Sequence, residues 1–185
     1  ALMAGLCSVG SDVKPVGTIP TPAVAYLTVQ EKADAGIVIS ASHNPYEHNG
    51  IKIFDSRGYK LSDEMEERIE ELILSGAPMA DKTRGEIGRR FHGMMKQLYV
   101  QHLLSSVDCD LTGMRALVDC ANGAASATAP MLFDSLHLQA DFIHCDPDGV
   151  NINEHCGSTH LESLAEGVVK GGYDLGIAFD GDADR

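Results

Sequence analysis

The sequence predicts an α/β fold: a three-layer α/β/α arrangement with mixed, mostly parallel sheets. Two short apolar runs, Gly36-Ile37-Val38-Ile39-Ser40 and Leu175-Gly176-Ile177-Ala178-Phe179, have the length of buried strands. Segments of helical period, bounded by caps and turn residues, alternate with such runs. Both named runs open directly onto a short polar loop, and loops at strand ends are where α/β sheets bind ligands.

The elements follow in order. The chain opens at Ala1 with Leu2-Met3-Ala4-Gly5-Leu6, which reads as the tail of an apolar helix. Residues 12–16 read as a short strand. Thr21 reads as an N-cap with Pro22 at the first helical position, for a helix over 22–32. Residues 36–40 are a continuous apolar strand, expected in a parallel sheet, and 51–54 a second strand. Asp55 to Gly58 is a turn. Ser62-Asp63-Glu64 opens a helix with Met65, Ile69, Leu72 and Ile73 on one face and Gly76 at its end. Residues 77–88 form a loop, and Phe91 to residue 106 a longer helix whose methionines are core filler. Residues 108–113 mark a domain boundary, giving domains at 1–107 and 108–185. Beyond it, strands are predicted at 115–119, 140–144 and 174–179. Helices are predicted at 126–136 and 160–170.

Composition narrows the function. With 185 residues, 44% of them hydrophobic, the chain can hold one or two domains with a substantial core. A net charge of −13 argues against nucleic acid and anionic membrane surfaces as partners. It leaves a phosphorylated substrate open, because local geometry overrides net charge. No apolar run approaches the ~20 residues that span a bilayer, and nothing resembles a secretory leader. The five cysteines are odd in number and lack CxxC spacing, so they read as reduced thiols of a cytoplasmic protein. His144, Cys145, His155, Cys156 and His160 cluster in sequence. Their spacing fits no zinc-finger pattern, and they read as core and loop residues.

Two motifs carry chemistry. Asp180, Asp182 and Asp184 follow a strand at i, i+2 and i+4 with small residues between them, so they can converge on one hard cation. Ser40-Ala41-Ser42-His43-Asn44-Pro45 follows the other strand. Ser42 is the nucleophile candidate. A Ser-His-Asp hydrolase is disfavoured, because adjacent Ser42 and His43 point apart in extended chain and no G-x-S-x-G elbow is present. Ser42 can instead carry a phosphoryl group, which needs a divalent cation and basic groups around it. The three aspartates supply the cation site, Mg²⁺ being the metal that suits it, and Arg185 a phosphate clamp. An EF-hand is excluded, since Arg185 stands where that loop requires glycine.

At these residues the chain resembles the α-D-phosphohexomutase superfamily. Ser40 to Pro45 is similar to its phosphoserine loop and Asp180 to Arg185 to its magnesium loop. Ile19-Pro20-Thr21-Pro22-Ala23, Gly36 to Ser40, Asn49-Gly50-Ile51-Lys52 and Cys156-Gly157-Ser158-Thr159-His160 support the match, which covers essentially the whole chain in order. Cys156 to His160 points to the glucosamine branch, which serves bacterial cell-wall synthesis, over the glucose and mannose branches.

The resemblance implies two partial phosphohexomutase domains and interconversion of glucosamine 6-phosphate and glucosamine 1-phosphate through a 1,6-bisphosphate. Ser42 is then the phosphoryl carrier and, through its phosphate, a fourth metal ligand beside Asp180, Asp182 and Asp184. His43 and Lys52 fall where the family places acid/base or orienting groups, and Arg185 where it stabilises the transferring group. A hexosamine phosphate is the expected substrate, and a homodimer is compatible. A phosphoglucomutase or phosphomannomutase is the nearest alternative, and a non-catalytic module that binds metal or sugar phosphate is the alternative of a different class. Both chain ends read as cut from a longer enzyme, so the chain alone is expected to be inactive.

Overall fold

The computed structural model describes residues 1–76 and 78–185; residue 77, the first of the expected 77–88 loop, lies outside them. The elements run α1 Leu2–Ser8, α2 Thr21–Gln30, β1 Ala35–Ser40, β2 Gly50–Asp55, α3 Asp63–Ser75, α4 Met95–Leu104, β3 Arg115–Asp119, α5 Ala129–Ser135, β4 Gln139–Ile143, α6 Glu162–Gly171 and β5 Leu175–Ala178. They form two compact units: residues 1–17 with 60–94, and 18–59 with 95–185.

In the first unit, the segment after α1 hydrogen-bonds to the chain around residue 89. Val13 N–H donates to the Arg89 carbonyl and Phe91 N–H to that of Val13. Only a single bridge, Val13 to Arg90, forms where a strand over 12–16 is expected. Asp12 turns its side chain to the Arg89 N–H, and Pro15 has no N–H to extend a ladder. α3 begins with acids in its first turn and ends at Gly76 in left-handed conformation, as the sequence predicts. None of its residues is buried, and its apolar stripe, including Met65, Leu72 and Ile73, is exposed.

The second unit holds both sheets. β1 and β2 pair antiparallel from Ala35–Asp55 to Ser40–Gly50, not in the expected parallel sheet. The connection between them is too short for a crossover, so only a return strand can form. α2 covers β1, with Gly36 against Thr28 and Val24. α2 in turn meets α4, where Tyr26 stacks on His102 at 3.9 Å. The helix expected over 91–106 is shorter at its start, because Phe91 is taken up by Val13 and Gly93 follows. The second sheet is parallel, in the order β4-β3-β5. Its core is Ala116, Val118, Cys120, Ala125, Ala129, Phe133 and Leu138. The helix expected over 126–136 is divided into a 3₁₀ turn at Ala124–Ala127 and α5, which starts with Pro130 in its first turn.

Gly36 is where α2 comes closest to β1. An added methyl group would run into the Thr28 hydroxyl, itself bonded to the Val24 carbonyl at 2.8 Å. Gly36→Ala is therefore expected to destabilise the protein by about 1–3 kcal/mol through overpacking. Chemical denaturation of the two proteins measures this.

Candidate active site

The loop after β1 turns sharply. Ser42 adopts φ 54°, a left-handed conformation unusual for serine. Its N–H donates to the Ser40 hydroxyl at 2.8 Å, and the Asn44 N–H to the Ala41 carbonyl at 3.0 Å. The loop after β5 coils around its own first carboxylate. Asp180 Oδ1 accepts from the N–H groups of Asp184 and Arg185, each at 3.2 Å, and Ala183 takes φ 54°. The two loops meet at Gly181, where a Cβ would lie 2.5 Å from the Ser42 carbonyl oxygen. Only glycine fits that approach.

Asp180, Asp182 and Asp184 bring carboxylate oxygens within 4.8 Å of one another. Asp180 and Asp182 are buried and Asp184 is exposed. Asp182 Oδ2 accepts from the Thr21 hydroxyl at 2.7 Å and from Lys52 Nζ at 2.5 Å. Lys52 also reaches Asp184, at 3.1 Å. Thr21 is the first residue of α2 rather than its cap. Its N–H meets the Asp182 carbonyl and its hydroxyl the Asp182 carboxylate, so tertiary contacts take the groups the sequence assigns to capping.

These contacts move the titrations apart. Burial pushes the Asp180 carboxyl up, aided by the charges of Asp182 and Asp184 and opposed by its two backbone N–H donors. Burial also works to raise Asp182. The hydrogen bonds from Lys52 and Thr21 outweigh it and hold Asp182 below the ordinary carboxylate value. Burial works to lower Lys52, but its bonds to Asp182 and Asp184 raise it, so Lys52 is firmly protonated at neutral pH. Among the described residues, Asp180 Oδ2 and Asp182 Oδ1 are buried with no hydrogen-bond partner. Unpartnered buried carboxylate oxygens are costly, and a hard cation among oxygen donors satisfies them. The residues therefore fit a divalent metal.

A second cluster stands at the end of β3. Asp119 is fully buried and fully engaged: Oδ1 accepts from the Ala121 N–H, and Oδ2 from the Gly157 N–H and from His144 Nδ1 at 3.0 Å. His144 and Cys156, two members of the sequence cluster, lie beside it. The Cys156 thiol is pushed up to about 11 by burial and by the Asp119 and Glu154 charges, and burial likewise raises Cys120. Both thiols are inert at neutral pH. Asp119 ties together the loops that follow β3 and β4 and the loop at residue 157.

The structure thus brings Ser42, Lys52, Asp180, Asp182 and Asp184 to one place. His43 and Arg185 are exposed on the same two loops, Arg185 bonding to Asp180 through its backbone. Sequence reasoning missed Thr21, Asn153 and Asp119 as site-building residues. Thr21 had a signal, since it lies inside the supporting Ile19 to Ala23 motif.

The fold and these loops define α/β domains in which a serine loop closes on a carboxylate cluster fit for a divalent cation. Residues 1–79 match the family model for phosphoglucomutase/phosphomannomutase α/β/α domain I, and residues 97–185 that for domain II. The chain belongs to the phosphoglucomutase/phosphomannomutase family. It is 53% identical over 188 residues to the phosphoglucosamine mutase of Acetivibrio thermocellus, covering 100% of this chain and 42% of that relative. Among solved structures it is similar to a phosphoglucomutase/phosphomannomutase family protein of Burkholderia thailandensis. That match has a TM-score of 0.81 at 28% identity, over 100% of this chain and 41% of the other. The fold also matches Aspergillus fumigatus N-acetylphosphoglucosamine mutase in complex with GlcNAc-6P and magnesium, with a TM-score of 0.53 at 18% identity over 97% of this chain and 46% of the other.

The raised Asp180 carboxyl binds its proton more tightly folded than unfolded. Without a cation, stability therefore increases as pH falls through the folded value and levels off below the ordinary 3.8. Asp180→Asn is expected to raise the melting temperature of the metal-free protein at pH 7, by roughly 2–4 °C per kcal/mol relieved. The gain should vanish below the ordinary value. The same variant should lose most of the stabilisation that millimolar Mg²⁺ gives the parent. Melting curves across pH, with EDTA and with Mg²⁺, check both effects.

Proposed function

We propose that this chain carries the phosphoserine and metal loops of a magnesium-dependent phosphoglucosamine mutase, which interconverts glucosamine 6-phosphate and glucosamine 1-phosphate. One observation carries the reading: the Ser42 loop closes on the aspartate loop at Gly181, beside two buried carboxylate oxygens that lack partners among the described residues. The identity to a phosphoglucosamine mutase supports the choice of sugar, and the magnesium complex of the Aspergillus fumigatus protein supports the metal. The chain spans 42% of the length of that curated relative. Residues 1–107 correspond in this reading to the family's first domain and 108–185 to part of its second. The enzyme is an isomerase acting by intramolecular phosphotransfer. Its cytoplasmic location follows from its sugar-phosphate substrate and product, which feed UDP-N-acetylglucosamine and peptidoglycan synthesis.

The chemistry divides among named residues. In the forward half-reaction the bond between phosphorus and Ser42 Oγ breaks, and a bond to the substrate hydroxyl oxygen forms, giving the 1,6-bisphosphate. The proton of that hydroxyl leaves to a base, and Ser42 Oγ is left as an alkoxide that takes up a proton. The bisphosphate then turns over, and its other phosphoryl group returns to Ser42. Asp180, Asp182 and Asp184 would hold Mg²⁺, beside Ser42 when it carries its phosphate. When bound, the metal neutralises charge on the transferring group.

Lys52, held protonated by Asp182 and Asp184, serves as a cation and proton donor rather than as the base. His43, exposed beside Ser42, is the candidate proton acceptor. Arg185 supplies a planar cation for phosphate oxygens.

Ser42→Ala in the full-length protein is expected to abolish both turnover and the added phosphoryl mass after incubation with glucosamine 1,6-bisphosphate and Mg²⁺, with the melting temperature retained. Intact-mass measurement with peptide mapping checks this; phosphorylation that persists in Ser42→Ala sinks the reading. Assays on glucosamine, glucose and mannose 6-phosphates test the sugar. Glucosamine is expected to give the highest kcat/KM, and its being the poorest of the three would exclude the glucosamine assignment.

A further inference from the structure

We propose that Asn153 is a positioning residue that locks the backbone of Ser42 for phosphoryl transfer; this rests on Ser42 being the phosphoryl carrier. Asn153 lies 110 or so residues away in sequence, and its buried side chain reaches across to the β1 loop. Its Nδ2 donates one hydrogen to the Ser42 carbonyl and the other to the Asn44 carbonyl, both at 2.8 Å. Both acceptors are carbonyl oxygens, so the amide orientation is fixed by the network.

The need for such a clamp comes from Ser42 itself. A serine at φ 54° sits in a strained conformation that persists only when its surroundings over-determine it. The local bonds of the loop engage the Ser42 N–H and the Asn44 N–H, but not the carbonyls of these residues. Asn153 supplies that half of the restraint. It is anchored in turn, its N–H donating to the Ala121 carbonyl at 2.9 Å. Its own φ of 59° is one that asparagine tolerates better than most residues. Its amide nitrogen also packs against Gly181, so the same side chain touches the loop that carries the aspartates. Phosphoryl transfer depends on placing the reacting oxygen to within a fraction of an ångström, and a displacement of about 1 Å can lower the rate ~10²-fold.

The test uses the full-length protein and three variants, two at Asn153 and one control. Asn153→Gly keeps the left-handed backbone and removes the clamp. Asn153→Asp keeps the shape and cannot donate. Leu164→Ala, a buried α6 position outside the site, provides a comparable loss of stability without touching either loop. The readouts are the rate of Ser42 phosphorylation by glucosamine 1,6-bisphosphate, kcat and KM for glucosamine 6-phosphate, and the melting temperature. Both Asn153 variants are expected to slow phosphorylation about 10- to 100-fold and lower kcat in step, with KM within about threefold of the parent. Leu164→Ala is expected to phosphorylate at the parental rate. Phosphorylation of both Asn153 variants within twofold of the parent, or an equal slowing in Leu164→Ala at matched melting temperature, overturns the inference alone. A parent protein that takes up no phosphoryl group overturns the phosphoserine reading, and this inference with it.

Discussion

Three carboxylates lie within 4.8 Å of one another at the end of β5, two of them out of water. Like charges at about 4 Å repel by roughly 4 kcal/mol each at an effective dielectric near 20, so this arrangement persists only because other groups hold it. Asp180 is gripped by two backbone N–H groups of its own turn. Asp182 is gripped by Thr21 and Lys52, which arrive from α2 and β2. The path of α2, the pairing of β2 with β1 and the coil of the 180–185 loop therefore all serve one local concentration of negative charge. What they leave unsatisfied, one oxygen on each buried aspartate, defines what the site will accept.

The same tension appears in the backbone. Every strand whose end enters the site is followed by residues in left-handed conformation: Ser42 after β1, Ala121 and Asn122 after β3, His144 after β4 and Ala183 after β5. Such residues are uncommon outside glycine, and their gathering at functional loops is a recognised use of strain. The loops hold one another in place. Gly123 packs against Gly181, Gly157 against Ala121 and the Phe179 carbonyl, and Gly181 against Ser42. Asp119 joins the loops from beneath with three accepted hydrogen bonds.

Much of this was legible in the sequence, and the failures have physical causes. The β1, β2, β3, β4 and β5 runs, the caps of α3 and the aspartate triplet are local signals, and they fell where the pattern placed them. The orientation of β2 did not follow from the apolar character of β1, because a buried strand looks alike in either sheet type; the length of the following loop was the better guide. Residues 12–16 have strand-like composition but spend their hydrogen-bonding groups elsewhere. The start of α4 was misjudged because Phe91 keeps the apolar period while its backbone belongs to another pairing. Asn153 and Asp119 gave no sequence signal at all, since one asparagine in a loop and one aspartate closing a strand are ordinary in composition.

Thr21 shows the limit most clearly. A threonine before proline at the start of a helical run is a good cap, worth about 1 kcal/mol in isolation. Here the helix starts one residue earlier, with Pro20 at the cap, and the threonine is given to Asp182 through both its N–H and its hydroxyl. The exchange is favourable because a hydrogen bond to a buried charge is stronger than one to a backbone amide that water could also serve. Local rules describe what a residue does when nothing more demanding is near. A cluster of buried carboxylates is more demanding, and it recruits the donors around it at the expense of their local roles. The residues that depart from their local expectation, Thr21 at its helix and Ser42 at its turn, are therefore the ones that trace the outline of the site.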